Sequence, residues 1–337
     1  MGVKVSTASL AGAVANCGGA GVIASVGLGY GSDINESNYV LASKTGLQNE
    51  IRKAKKLTDG VVGVNVMVAL TNYEDLVRTS VEEKADFIIS GAGLPLRLPE
   101  YIKGSSIKLI PIVSSGKAAA LIIKAWKKRY NISPDAFVVE GPLAGGHLGF
   151  NSEELKLGKV PVLENLVTDV LGITKDFEKD FNINIPVIAA GGIFTGKDIA
   201  KFLKLGVKGV QIGTRFVATV ECSVASKFKE LYISSKDEDV VIIDSPVGMP
   251  GRAIKTDLID RVMKGEKVPV RCNYRCLITC DPLRVPYCIA KALFNAAAGD
   301  LDNAVVFCGS NVSKIQKIVT VKELIDTLVN ETIEASN

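Results

Sequence analysis

The single histidine of the chain, His147, lies in the run Gly145-Gly146-His147-Leu148-Gly149. Histidine is the side chain best suited to take up or release a proton near neutral pH. The paired glycines make the run too flexible for a strand interior, which favours a loop at an active site over a core position. His147 is therefore predicted to act in catalysis or substrate binding. A lone histidine without a carboxylate cluster is a poor metal site.

Glycines also stand at the ends of two late apolar runs, in Ala189-Ala190-Gly191-Gly192-Ile193 and Gln211-Ile212-Gly213-Thr214-Arg215. Each run leads into a helix pattern, so backbone N–H groups and a helix N-terminus could hold a phosphate group there. A phosphate site beside one base and no metal set predicts an organic cofactor. The residues alone do not distinguish a flavin from pyridoxal phosphate.

Four of the seven cysteines cluster near the C-terminus, as Cys272, Cys276, Cys280 and Cys288. At helical pitch the first three would share one face, where thiolates could bind an iron–sulfur cluster or Zn. Nearby arginines would lower the thiol pKa values. Structural thiols and a redox-active disulfide remain open as alternatives. The odd total argues against the disulfide framework of a secreted protein.

The elements that must position these residues alternate along the chain. Apolar runs rich in Val and Ile are typical of strands buried on both faces, and longer amphipathic stretches separate them. The predicted strands are Ala20–Ser25, Val61–Met67, Phe87–Ser90, Leu109–Val113, Ala136–Glu140, Pro186–Ala190 and Gly209–Ile212. The predicted helices include Asn72–Lys84, Lys117–Arg129, Leu163–Phe181 and Gly196–Leu205.

This alternation predicts an α/β fold, either a doubly wound sheet or a TIM (β/α)8 barrel. A barrel requires eight strands and only seven runs can be counted, so in the TIM-barrel interpretation the first strand is missing. In a barrel the loops after the strands share one face, which adds Asn65, Ser114 and Glu140 to the candidate site. Residues 1–235 are assigned to the barrel domain. Residues 236–337 are assigned to a C-terminal lid segment and helical extension that carries the cysteine cluster.

Within that C-terminal segment, Val240–Ile243 is predicted as one more strand and Ser245–Arg252 as a loop. Three helices are predicted, at Lys255–Gly265, Ile289–Ala298 and Val321–Glu334. Val305–Cys308 is predicted to be a turn inside the lid.

Composition narrows the functional classes. The chain has 337 residues, 47% hydrophobic and 23% charged, with a formal net charge of +4. These values are ordinary for a globular protein and too weakly basic to indicate nucleic-acid binding. The uncharged stretch Leu10–Gly29 is interrupted by glycines, so a buried helix and strand are favoured over a membrane span. We expect a cytoplasmic enzyme with a small-molecule substrate, and a homodimer is considered as its assembly.

Five motifs in order resemble the nitronate monooxygenase family, formerly the 2-nitropropane dioxygenases, which includes flavin-dependent enoyl-acyl-carrier-protein reductases. The resemblance covers roughly residues 1–254. Its motifs are Val3–Gly21, Gly63-Val64-Asn65-Val66-Met67, Ala144-Gly145-Gly146-His147, Ala190-Gly191-Gly192-Ile193 and Gly213-Thr214-Arg215-Phe216.

The resemblance implies a TIM barrel that carries one FMN, with His147 beside the flavin. It places the phosphate at Gly191, Gly192, Gly213 and Thr214. It places Asn65 and the Met1-Gly2 backbone near the isoalloxazine, and Gly145-Gly146 along the cofactor. Leu143 departs from the pattern, because an acidic residue often stands there in the family.

Three functions follow as hypotheses. The first is a nitronate monooxygenase that oxidises alkyl nitronates with O2 to carbonyl compounds and nitrite. The second is an FMN-dependent enoyl-acyl-carrier-protein reductase that uses NAD(P)H. The third is a non-catalytic FMN-binding or redox-sensing protein in which the cysteines are the working part.

Overall fold

The computed structural model describes residues 2–30, 38–181, 183–272 and 274–337. Within these residues the strands, in chain order, are β1 (Gly21–Ala24), β2 (Val62–Met67), β3 (Phe87–Gly91), β4 (Lys108–Val113), β5 (Phe137–Glu140), β6 (Gly146–His147), β7 (Val187–Ala190), β8 (Gly209–Gln211), β9 (Val240–Asp244), β10 (Pro250–Ile254) and β11 (Val306–Phe307).

Seven of these strands form one parallel sheet in the order β1-β2-β3-β4-β5-β7-β8. They correspond to the seven predicted apolar runs, which confirms those predictions. All six residues of β2 are buried, as expected of a strand covered on both faces. The α/β fold with a parallel sheet is therefore confirmed.

Helices separate the strands and pack outside the sheet. In chain order they are α1 (Ala8–Asn16), α2 (Tyr39–Leu57), α3 (Tyr73–Glu82), α4 (Gly116–Tyr130), α5 (Ser152–Lys156), α6 (Leu163–Phe181), α7 (Gly196–Leu205), α8 (Thr214–Val217), α9 (Ser226–Ser234), α10 (Asp257–Met263), α11 (Ile289–Ala298) and α12 (Val321–Ser336). In the described part of the chain, none of them is long and apolar enough to cross a membrane.

Local sequence explains where α7 begins and ends. Thr195 and Asp198 form a capping box, in which each side chain accepts a hydrogen bond from the other residue's backbone N–H. Gly206 ends the helix with a φ of 108°, in the left-handed region that favours glycine. These signals place the first turn of α7 directly after the Gly191-Gly192 turn.

The parallel sheet is open between β1 and β8, which do not pair with each other. Helix α12 packs against α7 and α1, on the two sides of this opening. The predicted first strand would lie upstream of Met1, outside the described residues.

In the C-terminal segment the predicted strand Val240–Ile243 is confirmed as β9, and the three predicted helices are confirmed as α10, α11 and α12. The segment also contributes strands that were not predicted. β10 pairs with β6, β9 and β11 in an antiparallel sheet. Ser245–Arg252 was expected to be a loop, but its last residues belong to β10, and Val305–Cys308, expected to be a turn, contains β11. Both segments become strands because distant parts of the chain supply their hydrogen-bond partners. The domain boundary after residue 235 stays a prediction.

Gly196 allows α7 and α12 to pack together closely. Its N–H donates to Glu331 Oε2 at 2.6 Å, and its carbonyl accepts from Thr332 Oγ1 at 3.2 Å. A Cβ at this position would lie 2.4 Å from the backbone nitrogen of Thr332. Because a backbone atom cannot rotate away, the two helices must separate to admit a side chain.

We therefore expect Gly196→Ala to lower the free energy of unfolding by about 1–3 kcal/mol in urea denaturation. Gly172→Ala is the matched control, since Gly172 is exposed in α6 and a Cβ there meets no atom within 4 Å. That substitution should instead add about 0.5–1 kcal/mol through helix propensity. Equal effects of both substitutions would contradict the packing interpretation.

Candidate cofactor and active site

A cavity of about 790 Å³ extends from side chains of the parallel strands, such as Phe87, Ile110 and Ile188, to the loops that follow those strands. Cavities of about 300–1,000 Å³ are typical of cofactor and small-molecule sites. The structure brings most of the predicted cofactor residues to its wall. Those that line it are Gly2, Glu140, Gly145, Gly146, Gly191, Gly192, Gly213 and Thr214.

The Gly191-Gly192 turn requires glycine for its conformation and for its packing. The φ angles are 94° and 84°, both in the left-handed region. A Cβ on Gly191 would lie 3.0 Å from the backbone nitrogen of Ala144, and a Cβ on Gly192 would lie 2.9 Å from Leu143 Cβ. The turn therefore packs closely against the loop that precedes His147.

Gly213 presents bare backbone at the start of α8. A Cβ there would meet no atom within 4 Å, so this backbone faces open space within the cavity wall. Thr214 follows, and its Oγ1 accepts a hydrogen bond from the Gly309 N–H at 2.8 Å.

The turn after β11 completes the same wall, a contribution that sequence reasoning missed. Asn311 Nδ2 donates to the Gly192 carbonyl at 2.8 Å. The buried hydroxyl of Ser310, which lines the cavity, makes no hydrogen bond in the described structure. A buried unpaired hydroxyl is costly unless a ligand satisfies it. The small polar run Gly309-Ser310-Asn311 after an apolar stretch was the available signal.

Arg215 adds positive charge beside these glycine turns. It lines the cavity, donates to the Phe194 carbonyl at 2.8 Å, and lies 4.6 Å from the centre of the Phe194 ring. Burial lowers the pKa of Arg215 from its usual value. A guanidinium held by a neutral carbonyl keeps its charge available, so this part of the wall favours an anionic group.

Glu140, at the end of β5, brings a carboxyl group to the cavity. Burial raises the pKa of Glu140 well above its usual value, because the charged form loses hydration. Burial therefore favours the protonated carboxyl, which can donate a hydrogen bond as well as accept one.

Three other predicted cofactor residues are placed differently. Asn65 lies inside β2 rather than in a loop, and its buried Oδ1 has no hydrogen-bond partner. Ser114 does not line the large cavity, since Gly149 packs against it, with a Cβ on Gly149 falling 2.8 Å from Ser114 Oγ. Met1 lies outside the described residues.

His147 lies in β6 and pairs with Gly251 of β10, so the expectation of a flexible loop was wrong. Pairing with a distant strand orders this glycine-rich run. The Nε2 atom lies 2.8 Å from Ser245 Oγ, and the ring packs edge-on to Phe307 with 4.9 Å between centroids. Burial lowers the pKa of His147 to about 4. The imidazole is therefore neutral at pH 7.

A second, smaller cavity of about 50 Å³ adjoins His147 and is lined mainly by apolar and aromatic side chains. Val3 and Leu293 line both cavities, so the two are neighbours. Met67, Tyr39 and Cys276 also contribute to the smaller one. The arrangement places a neutral imidazole at an apolar recess beside the larger, glycine-lined cavity.

The cysteine segment differs from its prediction. Its described residues form turns and bridges rather than a helix, so the helical face assumed for three thiols does not exist. It is held against the loop after β2, where the Thr71 N–H donates to the Cys276 carbonyl at 3.1 Å and the Ile278 N–H donates to the Ala69 carbonyl at 3.0 Å.

Two of the thiols, those of Cys276 and Cys280, differ from the low pKa values expected beside arginines. Burial, with further contributions from the other three thiols of the cluster, raises the pKa of Cys276 to about 12. Burial also raises the pKa of Cys280. All four cysteines are free, and no three His, Cys, Asp or Glu side chains in the described ranges are grouped to hold a metal ion. These residues do not fit the expected Zn or iron–sulfur site.

Comparison with curated proteins gives relatives at moderate identity. A (3aS,4S,5R,7aS)-5-hydroxy-7a-methyl-1-oxo-octahydro-1H-indene-4-carboxyl-CoA dehydrogenase of Rhodococcus jostii is 29% identical over 247 residues, which cover 73% of this chain and 58% of the relative. The match therefore spans less than two thirds of that protein's length. A probable nitronate monooxygenase of Staphylococcus aureus is 28% identical over 77% of this chain and 75% of the relative.

Solved structures agree on the architecture. FabK from Thermotoga maritima superposes with a TM-score of 0.73 at 28% identity, covering 98% of this chain and 90% of FabK. A nitroalkane oxidase from Streptomyces ansochromogenes superposes with a TM-score of 0.75 at 20% identity, covering 99% and 94%, and supports the fold alone.

The nitronate monooxygenase family profile matches residues 1–331, nearly the whole chain. The match includes the glycine turns, His147 and the C-terminal strands that complete the cavity wall. The predicted resemblance is thereby confirmed, and the chain belongs to the nitronate monooxygenase family.

Proposed function

We propose that this protein is an FMN-dependent oxidoreductase, with the flavin in the large cavity and His147 beside it. The observation that carries the proposal is the wall of the cavity, where glycine turns, Thr214 and the unpaired Ser310 hydroxyl surround a space of about 790 Å³. A volume of this size suits a cofactor.

The phosphate end of FMN fits the wall formed by the Gly191-Gly192 turn, Gly213 and Thr214. Bare backbone N–H groups at a strand-to-helix turn are suited to phosphate oxygens. The Ser310 hydroxyl would gain the partner that it lacks, and Arg215 would supply a countercharge.

The ring end of FMN fits the opposite wall. The Glu140 carboxyl lines the cavity and can form a hydrogen bond with the ring, whereas Asn65, with its unpaired Oδ1, does not line the cavity. Gly145 and Gly146 allow close approach of the flavin to the backbone. When bound, FMN supplies hydride acceptance or donation, chemistry that the side chains of this site do not provide.

Oxidation of alkyl nitronates to carbonyl compounds and nitrite is the first candidate reaction. The family profile and the similarity to a probable nitronate monooxygenase support it. A neutral His147 suits this substrate, because the imidazole can donate a hydrogen bond to a nitronate oxygen or accept a proton from the parent nitroalkane. The hydrogen bond with Ser245 Oγ would hold the ring in a fixed orientation.

Reduction of enoyl thioesters with NAD(P)H is the second candidate. The recess beside His147 is lined by Met67, Leu277 and Leu293, among other apolar groups, and this lining favours an apolar part of a substrate over a small anion. The similarity to FabK and to a coenzyme A thioester dehydrogenase supports this candidate as well.

Flavin reduction without air separates the two reactions. We expect the purified protein to show flavin absorbance that bleaches on adding an alkyl nitronate and to release nitrite once O2 is admitted. Bleaching by NAD(P)H, with oxidation by an enoyl thioester, would instead establish the reductase. His147→Ala should slow whichever reaction occurs by about 10²-fold or more, since general acid–base groups contribute about 10²–10⁴-fold. Protein without flavin after FMN reconstitution would refute the proposal.

The assignment of the phosphate end of FMN is tested by placing a side chain in that part of the cavity. Gly213→Val should weaken FMN binding, measured by quenching of flavin fluorescence, by about tenfold or more, because the added side chain enters the cavity without clashing with the protein. Gly209→Val is the matched control, since a Cβ at Gly209 also meets no atom within 4 Å but this residue does not line the cavity. Equal FMN affinity in both variants would contradict the assignment.

The low pKa of His147 predicts a pH dependence of stability. The folded chain binds a proton at His147 only near pH 4, whereas the unfolded chain binds it near the ordinary value of 6.5. Stability from the neutral imidazole is therefore complete above pH 6.5 and is lost as the pH falls towards 4. The stability difference between the wild type and His147→Gln should shrink on acidification, by up to about 1.4 kcal/mol per pH unit. A difference independent of pH in urea denaturation would show that His147 is not buried in its neutral form.

A further inference from the structure

Arg252 is a buried cation beside the proposed flavin site. It lies in β10 with 8% of its surface exposed. Its Nη1 donates to the Ala144 carbonyl at 2.7 Å and also to the Pro142 carbonyl. One nitrogen atom therefore joins two carbonyls of the loop that leads into Gly145, Gly146 and His147.

The backbone of Arg252 binds the neighbouring segments. Arg252 is paired with Gly146 in the β10–β6 ladder, and its carbonyl accepts from the Cys308 N–H at 3.2 Å. Between those segments the packing is close, since a Cβ on Gly145 would lie 2.5 Å from the carbonyl carbon of Cys308. A shift of the loop by a few tenths of an ångström would therefore move Gly146 and His147 or open this contact.

The charge of Arg252 has no neutralising partner. Among the described residues no carboxylate forms an ion pair with it, and burial lowers the pKa of its guanidinium. Burying an unpaired cation is costly, and carbonyl dipoles offset only part of that cost. If Arg252 only filled space, a neutral side chain could do so with a smaller loss of hydration free energy.

From these contacts we propose that Arg252 is a positioning residue, which holds the Pro142–His147 loop in place and sets a positive charge behind the flavin. Only the statement about the charge behind the flavin rests on the proposed FMN site. The statement about the loop and His147 can be tested without any cofactor.

Lys229 provides a matched control. It is also 8% exposed, and its Nζ donates to the Val220 carbonyl at 3.3 Å and to the Thr219 carbonyl at 2.6 Å. It shares with Arg252 the burial, the charge and the pair of main-chain acceptors, but its acceptors lie outside the Pro142–His147 loop. Lys229→Met therefore measures the cost of removing a buried cation elsewhere in the fold.

The first experiment follows His147 in the protein without FMN. Because it is the single histidine of the chain, its ring gives one signal set in NMR of histidine-labelled protein. In Arg252→Met we expect its pKa to rise from about 4 towards the ordinary 6.5, because the loosened loop admits water and a positive charge is lost. Lys229→Met should leave the His147 titration unchanged. The same titration in Arg252→Met and in the wild type would overturn the positioning role.

The second experiment uses the protein loaded with FMN. Arg252→Met should bind FMN about tenfold more weakly and lower the reduction potential of the bound flavin, since a nearby cation stabilises the electron-rich form. Arg252→Lys keeps the charge but shortens the reach to the two carbonyls, so the potential should stay near that of the wild type while kcat falls. Lys229→Met should change neither quantity.

The outcomes separate the two proposals. A wild type that binds no FMN, together with a shifted His147 titration in Arg252→Met, would refute the proposed function and retain the loop role. If Arg252→Met does not fold, Arg252→Lys decides the question: a wild-type His147 titration with wild-type kcat would overturn the inference. If Lys229→Met weakens FMN binding as much as Arg252→Met does, loss of stability would explain both effects. The charge of Arg252 would then have no specific role in FMN binding.

Discussion

Backbone packed directly against backbone is the constraint on which the rest of this site depends. The loop before His147, the Gly191-Gly192 turn and the turn after β11 come from distant parts of the chain, yet backbone meets backbone at Gly145 and at Gly191. At Gly145 the packing leaves no room for a side chain, since a Cβ would lie 2.5 Å from the Cys308 backbone. Such contact places many N–H groups around one cavity, but it leaves almost no freedom to adjust.

The chemistry of His147 follows from that packing. A short antiparallel ladder holds the imidazole between Ser245 and Phe307, where it loses most of its hydration. The loss of hydration keeps the ring neutral at physiological pH, the state in which it can accept a proton or donate one hydrogen bond. A flexible loop in water would leave the same ring partly protonated and poorly oriented.

Around this region the protein leaves the Ser310 hydroxyl and Asn65 Oδ1 buried without hydrogen-bond partners, and it buries the Arg252 charge against two carbonyls without a carboxylate. Each of these groups costs free energy in the folded chain. Such costs are common where a ligand or a reaction later uses the group. The cysteine segment contrasts with them, because burial raises the pKa values of Cys276 and Cys280 and the described part of its turns does not assemble a metal site.

The sequence by itself determined the parallel α/β sheet, the helices between its strands and the family, because the period of apolar residues and the order of glycine motifs are local properties of the chain. The same patterns also indicated Gly191, Gly192, Gly213 and Thr214. Only the tertiary structure decided that Val305–Cys308 contains a strand, that Asn65 lies inside β2, that Ser310 lines the cavity, and that Arg252 binds the loop before His147. These features depend on hydrogen-bond partners far away in the chain, and burial, which sets the pKa of His147 and Cys276, exists only once those partners have met.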